Sequence, residues 1–338
     1  MHGADELGGK LLEGVSRSFY LTLKALPQGL REPLSLAYLL ARAADTLADT
    51  SGVPEEMKMV CLREFDRLAQ STTRDLPGEV AFCERLRREF IPHQTDKNEA
   101  LLLGRLHEAF EALVNFRPGQ LANICSVLAP IVRGQMLDIE RFPVDGQLRS
   151  LSTTAELNEY TWLVAGCVGE FWTKLCADEL KEDFSGDVLT EKMIDWGTRF
   201  GKGLQLVNIL RDIGKDLALG RCYFPVEELA AHGCDVAAVK RDPALLQPLL
   251  PKWQQLCREH LNCGVDYVEA VQNKRLRYAT ALPLLLGIRT LNLIEAADWP
   301  QRMAGVKVSR AEVGEIMFKA GIAVLRLNGV RRLSGKLR

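Results

Sequence analysis

The stretch QLVNILRDIGKD, residues 205–216, decides how this chain is read. At 3.6 residues per turn, Gln205, Asn208, Asp212 and Asp216 stand at i, i+3, i+7 and i+11, so a helix carries them on one face about three turns long. Leu206, Val207, Ile209, Leu210 and Ile213 take the other faces, and the segment reads as a core helix with a single polar stripe. A solvated stripe normally mixes Glu with Lys at i,i+4. This one repeats short side chains that hold an oxygen close to the backbone, which suits a metal ion.

The same device occurs earlier in the chain. LREPLSLAYLLARAADTLADTSG, residues 30–52, reads as a helix starting near Pro33 and stopping at Ser51-Gly52. Tyr38, Arg42, Asp45 and Asp49 share a face of it, again as an arginine followed by a D-x-x-x-D pair. Like charges at i,i+4 repel. Two such pairs inside apolar helices therefore point to Mg²⁺, with Mn²⁺ as the alternative ion, held by Asp45, Asp49, Asn208, Asp212 and Asp216. Two facing pairs of this kind would clamp ions around a diphosphate.

Five histidines, never at i,i+4, argue against a zinc or di-iron site, and no P-loop is present. Diphosphate and Mg²⁺ inside an apolar helical bundle point to ionisation of an allylic prenyl diphosphate, whose cation needs a dry pocket with electron-rich faces. Phe19, Tyr20, Tyr38, Tyr160, Trp162, Phe171 and Trp172 offer such faces, although each taken singly reads first as core packing.

The remainder of the chain agrees with an all-α architecture. Helical spacing runs through 154–180 and 189–220, and further helices are expected at about 8–25, 55–70, 79–90, 97–115, 119–140, 244–272, 278–294 and 309–332. Period-two strands, a dinucleotide-binding glycine motif and fixed repeats are absent. No Ser/Gly-rich linker divides the 338 residues, so the expectation is one domain over 1–338, a helical bundle with a central cavity, its core about 10–295. The segment 71–78 reads as a surface loop, and 226–275 carries no functional signal.

With 47% hydrophobic residues and a formal net charge of -1, the chain can bury a large core and has no electrostatic case for nucleic acid. The basic clusters at 85–90, 273–278 and 330–338 read as solvated faces, with contact to anionic lipid as the minor alternative for the last. Nine cysteines lack any CxxC spacing, as reduced thiols of a cytoplasmic protein would. MHGADELGGK lacks the pattern of a signal peptide, and the apolar run at 278–288 is too short to span a bilayer. The expected location is the cytoplasm, with a peripheral membrane contact for product release. The oligomeric state is open.

At four blocks the sequence resembles the squalene/phytoene synthase family of head-to-head prenyl condensing enzymes. They are SRSFY (16–20), YLLARAADTLADT (38–50), EYTWLVAGCVGEFW (159–172) and GLQLVNILRDIGKDLALGRCYFP (203–225). The resemblance implies an all-α prenyl-synthase fold, Mg²⁺ dependence and two molecules of a C15 or C20 diphosphate as substrates. It further implies that Asp45 and Asp49 form the first aspartate-rich motif and Asp212 and Asp216 the second. By the same resemblance Ser16, Arg17, Ser18, Phe19, Tyr38, Arg42, Gln205, Asn208, Arg211, Arg221 and Tyr223 contact substrate. Tyr160 resembles the family tyrosine that manages a proton or cation while a cyclopropane forms.

Within the family, SRSFY and RAADTLADT look more like squalene synthases, and VKVSR (306–310) resembles their basic segment near the reductant, making Lys307 and Arg310 the expected NADPH contacts. The activity implied is condensation of two farnesyl diphosphates to presqualene diphosphate, then NADPH-dependent rearrangement to squalene. Ala48 and Lys215 stand where squalene synthases often carry an acid, which leaves the plainer pattern of carotenoid-type members and keeps a non-reducing dehydrosqualene or phytoene synthase as the alternative. The long hydrophobic anchor of eukaryotic members is not seen, as in a bacterial, soluble form. A non-catalytic helical scaffold is the reading from another class.

Overall fold

The computed structural model describes residues 9, 11–16, 19–27 and 29–337. Among them the chain is helical almost throughout, as expected, and a single two-residue parallel ladder is the one piece of sheet. It divides into two compact units, one of residues up to Glu140 with Lys174–Glu179, the other of Arg141–Thr173 with Leu180 onward.

The first unit contains α1 (Leu12–Ser16), α2 (Phe19–Ala25), α3 (Arg31–Asp49), α4 (Glu55–Ala69), α5 (Leu76–Glu89), α6 (Lys97–Gly104), α7 (Leu106–Leu113) and α8 (Pro118–Arg141). Helix α3 is built from strong helix formers and buries Leu36, Leu39, Leu40, Ala43 and Leu47 along one side. Its C-terminal carbonyls are satisfied locally: Thr50 Oγ1 donates to Thr46 O at 2.6 Å and buried Lys58 Nζ donates to Ala48 O at 2.9 Å. Phe65, Phe82 and Phe110 form the aromatic centre, with ring centroids 5.8–6.5 Å apart. Arg117 and Gln120 bind Glu179 at 2.5 and 3.0 Å, and Asn123 binds Asp178 at 3.0 Å, which ties Lys174–Glu179 to this unit.

The second unit contains α9 (Thr154–Thr161), most of α10 (Cys167–Leu180), α11 (Glu182–Ser185), α12 (Thr190–Arg211), α13 (Ile213–Ala218), α14 (Val226–Ala231), α15 (Val236–Arg241), α16 (Leu250–Ala270), α17 (Lys274–Ala296), α18 (Trp299–Ala304), α19 (Arg310–Ala323) and α20 (Gly329–Lys336). Strands β1 (Arg149–Ser150) and β2 (Arg221–Cys222) pair in parallel, with Arg149 opposite Arg221. Between α9 and α10 the chain makes a π turn, Trp162–Gly166. Here α12 comes so close that a Cβ on Gly169 would lie 1.9 Å from Gly197 O, and one on Gly201 would lie 2.2 Å from Ala165 O. No side chain fits at either position.

Several helices differ from the expected spans. The 189–220 helix breaks at Asp212 (φ −101, ψ 15), because α13 turns to lie against α18, with Gly214 so near that a Cβ would meet Met303 O at 2.0 Å. The expected helix at 309–332 ends at Ala323 and resumes after Asn328, whose φ of 51 reverses the chain and brings Gly329 against Ala323 O. Arg105 interrupts 97–115, and 154–180 contains the π turn. Helix α5 begins at Leu76, inside the stretch read as a loop, because Asp75 caps it by accepting from Gly78 N at 3.0 Å.

Gly169→Ala and Gly201→Ala should each destabilise the protein by about 3 kcal/mol, at the top of the range for overpacking a tight core, because backbone atoms are what the new methyl meets. Thermal unfolding of the two variants checks this, and a loss under about 0.5 kcal/mol would show that the α10–α12 approach is not that tight.

Candidate active site

Each unit carries one of the two acidic faces. In the first, Arg42 lies at the centre: its guanidinium pairs with Asp45 through Nη1 and with Glu99 through Nη2. Its Nε is buried and has no hydrogen-bond partner among the described residues. Gln135 Nε2 donates to Asp45 Oδ1 at 3.2 Å, and Tyr38 OH donates to Val15 O at 3.3 Å. Burial raises the Asp45 carboxyl to about 6, the charge of Asp49 adds to the rise, and Arg42 opposes it. Glu99 and Gln135 were not among the residues expected from sequence. Glu99 looks like an ordinary acid in the first turn of α6, and the one available signal for Gln135 was a polar residue, three before buried Asp138, in an apolar helix.

Ser16 donates to Leu12 O at 2.5 Å and is buried, so its hydroxyl is engaged within its own helix. Phe19 opens α2, and Arg17 and Ser18 lie outside the described residues.

In the second unit Asp212 joins the two helices at the break: Asp212 N donates to Asn208 O and Asp216 N to Asp212 O, each at 2.9 Å. Asn208 Nδ2 donates to Gln205 Oε1 at 3.2 Å. Arg211 grips the neighbouring Asp212 with two bonds, Nε to Oδ1 at 2.8 Å and Nη2 to Oδ2 at 2.5 Å, and that bonding raises the arginine's pKa. The turn at Gly220 (φ 79) sends the chain into β2, and Asp216, Arg221 and Tyr223 line one small cleft with Ile209 and Ile213.

Tyr223 and Tyr160 are both buried and stacked, with centroids 4.9 Å apart, planes at 22° and hydroxyls 3.2 Å apart. Phe142 meets Tyr223 edge-on at 5.2 Å. Lys202 of α12 donates to Asn158, two residues before Tyr160, and so anchors the tyrosine's helix to the acidic one. Trp162 is on the π turn after Tyr160, and the buried indole nitrogen of Trp172 lacks a hydrogen-bond partner among the described residues.

Lys307 and Arg310 are exposed, on either side of Ser309, which caps α19 together with Glu312. The lysine and arginine side chains suit a phosphate, while Glu312 occupies the helix N-terminus itself, its carboxylate accepting from Ser309 N at 3.2 Å.

The donor chemistry fits Mg²⁺. Asp45 and Asp49 are a like-charge pair that Arg42 only partly offsets, and both offer carboxylate oxygens. Among the described residues no three His, Cys, Asp or Glu side chains converge, so each ion would take one or two carboxylates and fill its shell with water and phosphate oxygens. The buried Nε–H of Arg42 is a donor of the kind an anion would satisfy.

The Asp45 shift has a testable sign. A carboxyl whose folded pKa lies above its unfolded value costs stability once it ionises, so the protein loses stability as pH rises from about 4 to about 6. With the side chain 33% accessible, the loss is discounted to about 1–2 kcal/mol. Asp45→Asn does not titrate. Its thermal stability relative to wild type, measured without Mg²⁺, should improve across that window and level off above it; a pH-independent difference would contradict the burial of this carboxylate.

The family description "Squalene/phytoene synthase" matches residues 12–312. Botryococcus squalene synthase from Botryococcus braunii is 25% identical over 322 residues, 91% of this chain and 61% of the relative. The chain thus spans about three-fifths of that relative's length. Among solved structures, TcSQS with ligand E5700 superposes with a TM-score of 0.75 at 20% identity, covering 99% of this chain and 90% of the other. A dehydrosqualene synthase in complex with ligand gives 0.63 at 18% identity, covering 94% and 96%. These structures share the all-helical fold, and with a single family match running through both units, the chain belongs to the squalene/phytoene synthase family.

Proposed function

We propose that the protein condenses two farnesyl diphosphates head to head into presqualene diphosphate and then converts that intermediate to squalene with hydride from NADPH. The observation that carries this reading is the buried Tyr160–Tyr223 stack in the same unit as Asp216 and Arg221, which share a cleft with Tyr223. One family match across both units supports treating them as one catalytic domain.

Arg42, Arg211 and Arg221 bind diphosphate oxygens, assisted by Tyr38, Gln205 and Asn208 and by the N-terminal Ser16, Arg17, Ser18 and Phe19. Asp45, Asp49, Asn208, Asp212 and Asp216 hold Mg²⁺, which when bound neutralises charge on the leaving diphosphate. The tyrosine faces stabilise the allylic cation, and their burial keeps water from capturing it. Closing the cyclopropane releases a proton. A phenol with an ordinary pKa near 10 is a poor free base, so the paired hydroxyls pass that proton toward diphosphate oxygen rather than store it as phenolate. Lys307 and Arg310 hold the phosphates of NADPH, which when bound supplies the hydride, and the C30 hydrocarbon then leaves to a membrane surface.

The plain D-x-x-x-D pattern, with Ala48 and Lys215 in place of extra acids, favours a second reading in which the enzyme stops short of reduction and makes dehydrosqualene or phytoene.

Gas chromatography of the product from farnesyl diphosphate and Mg²⁺, with and without NADPH, separates the two. Squalene made only with NADPH supports the first; the same unsaturated hydrocarbon in both tubes supports the second, and unconsumed substrate removes both. Asp45→Asn and Asp212→Asn should each lower turnover at least about a hundredfold while keeping the fold. Lys307→Ala should leave presqualene diphosphate formation intact and slow only its conversion; equal slowing of both halves would remove Lys307 from the reductant site.

A further inference from the structure

Helix α19 is apolar on opposite sides. One side buries Ile316, Ala320 and Ala323, as a surface helix should. The other presents Phe318 and Ile322 to solvent, and the turn that follows adds Leu325 and Leu327; their exposures are 72%, 40%, 64% and 83%. Phe318, Ile322 and Leu325 stand at i, i+4 and i+7, one continuous stripe that Leu327 extends. Scattered exposed leucines need no explanation, but four large apolar side chains within ten residues form a patch.

The charges around it are mainly positive: Glu315, one turn before Phe318, pairs with Lys319 at 2.5 Å, and beyond that pair the cations are in excess. From Phe318 to Arg338 the sequence has six Lys or Arg and no Asp or Glu, although the whole chain carries a net charge of -1. Lys319 and Arg326 are exposed beside Phe318 and Leu325. Arg332 is held at the rim by bonds from its guanidinium to the carbonyls of Leu327 and Asn328, the latter at 3.3 Å. Asn328 in its left-handed conformation turns the chain here, so the tip is a fixed feature of the fold.

An apolar tip rimmed by cations is complementary to a surface of anionic headgroups over hydrocarbon, and an acidic protein partner would leave the four apolar side chains without a matching layer. We propose that the α19–α20 tip, built on Phe318, Ile322, Leu325 and Leu327 with Lys319, Arg326 and Arg332 around it, docks the protein on an anionic bilayer. The inference rests on the proposed function only for its purpose, delivery of a hydrocarbon product. Docking itself is read without turnover.

The test is co-sedimentation of the full 338-residue chain with vesicles of phosphatidylcholine alone and of phosphatidylcholine mixed with phosphatidylglycerol. Binding should favour the anionic vesicles and weaken as salt is raised. The Phe318→Ser/Leu325→Ser/Leu327→Ser variant and the Lys319→Glu/Arg326→Glu variant should each lose at least about tenfold in vesicle affinity, with circular dichroism unchanged. Absence of binding to either vesicle, equal binding to both, or retained binding by the triple variant would overturn the proposal. So would light scattering that shows a dimer dissolved by the same substitutions without vesicle binding, since the patch would then face a second copy. Squalene production with no vesicle binding would reject the docking surface alone, and vesicle binding without any turnover would reject the proposed reaction alone.

Discussion

The close backbone approach of α12 to the Trp162–Gly166 turn and the start of α10 is the constraint on which the second unit's chemistry depends. Gly169, Gly197 and Gly201 remove the side chains that would hold these helices at an ordinary separation. At this distance Lys202 reaches Asn158, and the helix that carries Tyr160 is tied to the helix that ends at Arg211, next to Asp212. The π turn after Tyr160 belongs to the same arrangement, absorbing an extra residue where the helices touch. A tyrosine with the proposed role beside a short-lived cation must not wander, and close packing holds it in place.

The acidic helices show the opposite relation between stability and function. Like charges on one turn, partly removed from water, are unfavourable until something cationic arrives. In the first unit Arg42 and Gln135 hold Asp45, but burial and Asp49 still push its carboxyl well above the ordinary range. In the second, Arg211 takes both oxygens of Asp212. The two faces, alike as patterns, therefore differ in how their charge is balanced: one leaves a carboxylate unhappy with its own neighbour, while the other has an arginine folded back on the adjacent acid.

Much of this was legible along the chain because helical period and short motifs are local properties. The D-x-x-x-D pairs, their preceding Arg42 and Arg211, and the polar lead-in through Gln205 and Asn208 follow from spacing alone. Contacts made across long sequence separations were not legible. Glu99 reaches Arg42 from 57 residues away and Gln135 reaches Asp45 from 90, and neither has a local pattern that marks it. The exposed face of α19 escaped notice for a related reason, since an apolar residue at helical spacing looks the same whether its side chain is covered or open to water.

The sequence by itself determined the all-α class, the positions of the acidic faces and the family, because periodicity, short-range spacing and motif order require no knowledge of partners. Only the tertiary structure decided that α12 breaks at Asp212, that Tyr160 and Tyr223 stack with hydroxyls 3.2 Å apart, and that the far side of α19 is left open. Each of these is set by what a segment meets: the backbone of Met303 against Gly214, strand β2 beside β1, and, for Phe318 and Leu325, no neighbour among the described residues that buries them. Packing decides such matters because the cost of a clash or of exposed apolar surface depends on atoms that are distant in the chain.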